Sequence, residues 1–188
     1  MAGGAATRDR YTLVAIWLHW VIAALVLWNL AGGIGQAFLP EAAAELLWSG
    51  HKAIGISVLF LSVARLAWRL GHRPPPLPAM PRWQAVSAHA LHWSFYLLII
   101  LMPLSGWVFS SAAEKRRPLN FFGLFDIPYL PVAQGPDAGA VPHGFHVYAG
   151  WTMAALVVLH IAAALKHHFV DRDRTLARML PVAEPKRR

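Results

Sequence analysis

The sequence predicts an all-α membrane protein folded as a bundle of four transmembrane helices. Three observations favour this fold class: 57% of the 188 residues are hydrophobic, only 14% are charged, and the apolar residues gather in four long runs. A bilayer core of about 30 Å requires about 20 apolar residues per helical span. Hydrocarbon offers the backbone no hydrogen-bond partners, and the runs lack the alternation of barrel strands, so we expect helices.

The predicted helices span residues of about 12–36, 49–71, 84–111 and 143–170, in a single domain of residues 1–188. The first run is too long for a secretory signal peptide, so we expect it to remain in the membrane. A proline-rich connector, Leu70–Arg82, joins the second and third helices, because proline cannot continue a helix. The outer loop, residues of about 112–142, has an aromatic and apolar middle, which we expect to lie at the membrane interface.

The basic residues are distributed unevenly between the two sides of the membrane. Of the 17 Lys and Arg residues, 13 lie before helix 1, around the connector or at the end of helix 4, and the other side has Lys52, Lys115, Arg116 and Arg117. The excess of positive charge on cytoplasmic loops therefore predicts cytoplasmic N- and C-termini. The net charge of +8 reflects this topology and an affinity for anionic membrane lipid, and we expect no nucleic-acid partner.

Four of the histidines in the predicted spans lie at two matching depths, and an ionisable side chain inside a membrane is costly and indicates a functional site. His146 and His160 are separated by 14 residues of helix 4, which places them about 21 Å apart in depth and on nearly the same face. Counting helical turns from the membrane surfaces puts His19 at the depth of His160, and His51 at the depth of His146. We therefore expect an inner pair, His19 with His160, and an outer pair, His51 with His146.

Two imidazoles offered from facing helices are typical of the axial ligands of a b-type haem, whose flat ring fills the interior of a helical bundle. The absence of cysteine from the sequence excludes covalent c-type haem, iron–sulfur clusters and thiolate zinc sites. The sequence thus predicts two non-covalent b-type haems with the four paired histidines as metal ligands. Small residues one turn after each histidine would let the rings approach the backbone; they are Ala23, Gly55, Gly150 and Ala164.

Other interpretations of the histidines stay open. Each one singly is explained by a polar contact between helices, although such contacts do not require pairs at matching depths. A zinc or nickel site, or a haem-free transporter of metal ions or small molecules, typically gathers three or four ligands at one depth and adds carboxylates. The four predicted spans contain no Asp or Glu.

Cationic side chains lie where haem propionates are expected. Arg65 and Arg69 are one turn apart near the cytoplasmic end of helix 2, and their guanidinium groups suit carboxylates. Lys52 adjoins His51 on the outer side. The positive-inside topology explains the two arginines equally well. The run 115–117 in the outer loop would draw an anion toward the outer pair, although a solvated loop also explains it.

More histidines gather at the cytoplasmic ends of helices 3 and 4. We interpret this group as a quinone pocket beside the inner pair, because a quinone carbonyl needs a hydrogen-bond donor and its reduction needs protons, which histidine relays near neutral pH. Polar side chains that simply face the membrane interface are an equal alternative. A further alternative is that one of His89 and His92, which are three residues apart, contacts a haem propionate. The candidate residues are His89, His92, Lys166, His167 and His168.

Four segments and a short tail carry a family resemblance. They are "RYTLVAIWLHW", "GHKAIGISVLFLSVARLAWRL", "AHALHWSFYLLIILMPLSGWV" and "FHVYAGWTMAALVVLHIAAALKHHF", followed by "LARMLP". Together they cover nearly the whole chain, and the chain resembles the bacterial cytochrome b561 family of di-haem, four-helix membrane proteins. The resemblance places the four paired histidines at the family's haem-ligand positions, supports His92 and His167 as family-like positions, and implies a multi-pass protein of the bacterial inner membrane.

The resemblance also implies single-electron transfer between the quinone pool and a partner on the outer side. One branch of the family oxidises superoxide to oxygen while reducing ubiquinone, and this oxidoreductase activity is the leading hypothesis. The alternative is an electron-transfer module that passes quinol electrons to a periplasmic dehydrogenase or soluble cytochrome. The expected partners are therefore membrane lipid, a quinone, and either superoxide or a periplasmic electron-transfer protein.

Overall fold

The computed structural model describes residues 10–180, and four long helices dominate this range. They are α1 (Leu13–Gly35), α2 (Glu41–Gly71), α3 (Arg82–Ala112) and α4 (Ala140–Phe169). Each is long and apolar enough to cross a membrane, which confirms the predicted fold class. α1 packs on α2, α3 packs on α4, and α2 joins the two helix pairs through α3. We call the end where α1 begins and α4 ends the inner end, and the opposite end the outer end.

The helix boundaries follow local sequence signals. Thr12 caps α1, since its side chain accepts a hydrogen bond from the backbone N–H of Ala15 at 3.3 Å. α2 begins at Glu41 rather than near residue 49, directly after Pro40, because the added stretch is rich in Ala, Glu and Leu, which are strong helix formers. Pro81 precedes α3 in the same way.

The centre of the bundle is an apolar layer to which all four helices contribute. Its buried members are Ile22, Ile54, Val58, Ile99 and Met153. Met153 is seven residues from both His146 and His160, so about 10 Å of helix separates it from either histidine. The layer therefore lies between the inner and outer histidine levels.

The outer loop folds against the outer half of the bundle. Within it, β1 (Asn120–Phe121) and β2 (Phe125–Asp126) form a short antiparallel hairpin. Leu119 and Ile127, on either side of this hairpin, pack with Ile56 of α2 in a second buried cluster. The loop is thus an ordered cover on α2 rather than a loose connection.

The segment after α4 returns across the inner end of the bundle. The indole N–H of Trp20 donates a hydrogen bond to the carbonyl of Met179 at 2.6 Å, and the guanidinium of Arg178 donates to the carbonyl of Pro76 at 2.7 Å. Arg10 also donates to the carbonyl of Leu180. These bonds join the end of the described chain to α1 and to the connector. Four basic residues used to predict orientation lie outside the described residues: Arg8, Lys186, Arg187 and Arg188.

Candidate functional site

The fold brings the four predicted histidines together as two pairs at two levels. The ring centres of His19 and His160 lie 6.2 Å apart toward the inner end, and those of His51 and His146 lie 5.9 Å apart toward the outer end. In each pair one imidazole comes from α4, and the other comes from the α1–α2 helix pair. Each pair therefore bridges the two halves of the bundle.

Both separations suit one metal ion held between two imidazoles. A bond from an imidazole nitrogen to a first-row metal is about 2 Å long, and the ring centre lies about 1 Å behind that nitrogen, so a shared metal requires ring centres about 6 Å apart. The two observed separations are close to this value. The ring spacing of each pair thus allows a shared metal.

A cavity of about 490 Å³ opens between the helices at the outer pair. Its walls are largely apolar and include both rings of the outer pair, with Asn29, Trp107 and Lys52 among the other lining residues. The volume lies within the range of about 300–1,000 Å³ that is usual for small-molecule and cofactor sites. Lys52 is thus at the cavity wall, next to His51.

Two glycines allow helices to approach the outer imidazoles closely. A Cβ at Gly106 of α3 would lie 3.2 Å from Cε1 and 3.3 Å from Nδ1 of His146, which is tighter than ordinary packing. A Cβ at Gly33 of α1 would lie 3.5 Å from Cε1 of His51. The Nδ1 atom of His51 is buried without a hydrogen-bond partner, although buried polar atoms are normally paired. The open cavity, the ligand spacing and this unpaired ring nitrogen fit a haem held by His51 and His146.

The inner pair has a third imidazole beside it. The ring of His92 lies 5.7 Å from that of His160, and the ring of Phe95 lies 5.4 Å from it. Both neighbours come from α3, the helix that packs directly against α4. The structure therefore places His92 beside the inner histidine pair, with its side chain exposed on the α3 side.

Arginines surround a small cavity at the inner end. Arg65 and Arg69 line it together with Arg10 and Arg73, around a volume of about 30 Å³. The guanidinium of Arg69 donates to the hydroxyl of Tyr96 at 3.0 Å and lies 5.3 Å from its ring centre. Such a group of guanidinium ions suits a carboxylate or another anion.

The other predicted quinone-binding residues have different surroundings. The ammonium of Lys166 contacts both carboxylate oxygens of Asp171, at 2.8 and 2.6 Å, and Nδ1 of His167 lies 2.6 Å from a carboxylate oxygen of Asp173. Both contacts are made to the turn after α4, and His89 and His168 are exposed at the surface. A role for these residues in quinone binding stays a prediction.

Two aspartates of this turn, Asp171 and Asp173, were not among the predicted site residues. Arg172 between them has a φ of 52°, and this left-handed residue turns the chain so that both carboxylates reach His167, Asp171 at 3.2 Å and Asp173 at 2.6 Å. Burial acts to raise the pKa of the Asp173 carboxyl, but hydrogen bonds from Thr175 and His167 outweigh it and lower that pKa below its usual value. The pattern of two acidic residues shortly after a helix-ending histidine was the available signal.

The chain is similar in sequence to known bacterial cytochromes. A family model described as prokaryotic cytochrome b561 matches residues 10–182. The chain is 36% identical over 184 residues to cytochrome b561 homolog 2 of Escherichia coli (strain K12), covering 93% of each protein. It is 29% identical over 175 residues to the probable superoxide oxidase CybB of Yersinia pestis, covering 93% of this chain and 97% of that protein. It is also 28% identical over 179 residues to cytochrome b562 of Cereibacter sphaeroides, covering 90% and 94%.

Proposed function

Because the chain belongs to the prokaryotic cytochrome b561 family, a family of haem-binding membrane electron-transfer proteins, we propose that it oxidises superoxide at its outer end and reduces ubiquinone at its inner end. One observation carries the proposal: two histidine pairs lie at two depths of one bundle, each spaced to share a metal. Two redox sites at different depths are what transfer of electrons across a membrane requires. The name of the Yersinia pestis relative, probable superoxide oxidase, supports superoxide as the substrate.

Four histidines would hold two b-type haems without covalent attachment: His19 and His160 the inner one, His51 and His146 the outer one. When bound, haem supplies the reversible one-electron chemistry of its iron. We assign Arg65 and Arg69 to the propionates of the inner haem, because both line a small cavity at that end and guanidinium groups suit carboxylates. Lys52, on the wall of the outer cavity, has the corresponding role there.

The buried residues of the layer around Met153 are all hydrophobic and separate the two histidine levels. We propose that electrons cross this layer and that protons are taken up separately at the inner end. This separation suits the two reactions, because the oxidation of superoxide to oxygen needs no proton, whereas the reduction of a quinone to quinol needs two.

The reaction balances over two superoxide ions and one quinone. Each superoxide loses one electron at the outer end and becomes oxygen, and the quinone gains two electrons and two protons to become quinol. We propose that His89, His92, Lys166, His167 and His168 bind the quinone or supply its protons. His92 has the most support among them, because it lies beside His160 of the inner pair.

We place the protein in the bacterial inner membrane with both termini in the cytoplasm. Arginines gather at the inner end, where Arg10, Arg65, Arg69 and Arg73 line one cavity. An excess of positive charge marks the cytoplasmic side of a membrane protein. The quinone would then be reduced on the cytoplasmic side and superoxide oxidised on the periplasmic side.

A second candidate function is an electron-transfer module that passes quinol electrons to a periplasmic dehydrogenase or a soluble cytochrome. The charge of the outer side favours it, because four basic residues there face five acidic ones and attract a small anion only weakly. The acidic residues are Glu41, Glu45, Glu114, Asp126 and Asp137. A protein partner would not depend on such attraction.

Superoxide consumption by the purified protein, measured with and without added ubiquinone, tests the proposal. We expect consumption that depends on quinone and that forms one quinol for every two superoxide ions. Bound haem is measured in parallel from the reduced-minus-oxidised spectrum and a pyridine assay. The superoxide proposal is contradicted if the haem-loaded protein lacks this activity. Rapid electron exchange of that protein with a periplasmic cytochrome would then support the electron-transfer module. A colourless preparation contradicts both.

A further inference from the structure

The two outer imidazoles differ in their hydrogen bonds. Nδ1 of His146 lies 2.9 Å from the carbonyl oxygen of Met102 and 3.1 Å from the hydroxyl oxygen of Ser105. The hydroxyl of Ser105 itself donates to the Met102 carbonyl at 2.7 Å. In contrast, the buried Nδ1 of His51 has no partner. The outer pair therefore combines one imidazole whose Nδ1 is hydrogen-bonded with one whose Nδ1 has no partner among the described residues.

The contact with Met102 defines the tautomer of His146. A carbonyl oxygen only accepts hydrogen bonds, so Nδ1 of His146 must carry the proton. The hydroxyl of Ser105 has already given its own hydrogen to Met102, so its oxygen is a second acceptor for the same N–H. Nε2 of His146 then holds the free lone pair that a metal requires.

One turn of α3 also fixes the orientation of this ring. The His146 ring contacts three residues of this turn. Met102 and Ser105 contact it through oxygen atoms, and Gly106 through close approach of its backbone. The two oxygen acceptors hold the Nδ1 edge, and Gly106 leaves just enough space for it. The ring is thus held from one side by a helix that contributes no ligand to either pair.

We infer that Ser105 is a positioning residue for His146, which fixes the imidazole through its Nδ1–H and lowers the reduction potential of the outer haem. The inference rests on the proposal that His146 is an axial ligand. A hydrogen bond from the second nitrogen of a ligating histidine makes the imidazole a stronger electron donor, which favours the oxidised metal. A lower potential at the outer end favours the movement of electrons inward.

Redox titration of the haem-loaded full chain tests this inference with Ser105→Ala, Ser105→Thr and, as a matched control, Ser94→Ala. Ser94 is on the same helix and donates an exposed hydrogen bond to the carbonyl of Ala90 at 3.0 Å. The outer haem is identified by its selective loss in His51→Ala. We expect a positive shift of its potential and a changed low-spin electron paramagnetic resonance signal in Ser105→Ala. The inner haem should not shift, and Ser105→Thr and Ser94→Ala should titrate as the wild type.

The outcomes separate this inference from the proposed function. A wild-type protein that binds no haem at His146 overturns both. Two bound haems with an unchanged or lowered outer potential in Ser105→Ala overturn the role of Ser105 alone, as does an equal shift of both haems. If Ser105→Ala loses the outer haem altogether, Ser105→Thr decides: retained haem with the wild-type potential supports the role of the hydroxyl, and equal loss overturns it.

Discussion

His160 has two imidazole neighbours, His92 at 5.7 Å and His19 at 6.2 Å, and the more distant one is its predicted partner. Distance alone does not identify the partner of His160, since both separations suit a shared metal. The helices distinguish the two candidates: His92 is on α3, which packs directly against α4, whereas His19 comes from the other helix pair. A haem held by two imidazoles would lie between the two helix pairs, so His19 rather than His92 would be the second ligand, as His51 would be for His146.

Replacing His19 should therefore remove the inner haem, and replacing His92 should not. We expect His19→Ala to lose about half of the bound haem, because one of the two bis-histidine sites loses an axial ligand. His92→Ala is the matched control and should keep its full haem content while slowing quinone reduction. Pyridine assays and difference spectra measure both variants. Loss of haem in His92→Ala with retention in His19→Ala would assign the inner site to α3 and α4.

His146→Ala should remove only the outer haem. His146 and His160 share α4 but lie on opposite sides of the apolar layer, so we expect about half of the haem to be retained with the spectrum of the inner site. The measurement is a redox titration of purified protein. If the variant keeps both haems, His146 is not a ligand and the outer pairing is wrong.

Gly106→Ala should impair the outer site by steric pressure. The new Cβ would lie 3.2 Å from the His146 ring, and overpacking of this kind costs about 1–3 kcal/mol. We expect a lower content of outer haem. Gly144→Ala is the control, since a Cβ at Gly144 of α4 meets no atom within 4 Å. Equal haem content in the two variants would show that the close approach of Gly106 to His146 is not required for haem binding at the outer site.

Ser111→Ala should loosen the outer loop. The Ser111 hydroxyl is buried, donates to the carbonyl of Trp107 at 2.7 Å and accepts from the backbone N–H of Leu130 at 3.0 Å. Leaving a buried N–H without its partner costs about 1–3 kcal/mol. Hydrogen exchange should therefore become faster around residue 130, with a lower thermal stability of the whole protein. Ser94→Ala, which removes an exposed hydroxyl, should change neither.

The turn after α4 should lose stability in acid. Asp173 has a lowered pKa in the folded protein, so its contribution is fully present above the unfolded pKa of about 4 and is lost as the pH falls through the folded value. Asp173→Asn should be less stable than the wild type at neutral pH, and the difference should shrink on acidification. Thermal unfolding in detergent between pH 3 and pH 7 measures this. A difference that does not depend on pH would exclude the charge of Asp173 as its cause.

The four-helix fold and the pairing of histidines were accessible from the sequence because both depend on distance along a helix. The rise per residue sets the depth of His146 and His160, and membrane thickness relates that depth to His19 and His51. Neither the rise per residue nor the membrane thickness depends on which helices are neighbours. The observed ring separations follow the depths counted from the sequence.

Contacts that depend on helix rotation and on turn conformation were not accessible. Depth along the helices predicted that His92 lies near the inner pair, but the approach of Gly106 to His146 requires the side-by-side arrangement of α3 and α4. Hydrophobic periodicity does not supply this arrangement for helices that are apolar on every face. The cluster of His167 with Asp173 depends on the left-handed conformation of Arg172. Sequence alone gives little reason to expect a positive φ at an arginine.

Both histidine pairs take one imidazole from α4, which the ribosome makes last among the four helices. Until that helix has been inserted, His19 and His51 have no opposing ligand, and the contact of Trp20 with Met179 has not formed. If the two pairs hold haem as proposed, neither site is complete before α4 is inserted, and haem binding would follow membrane insertion.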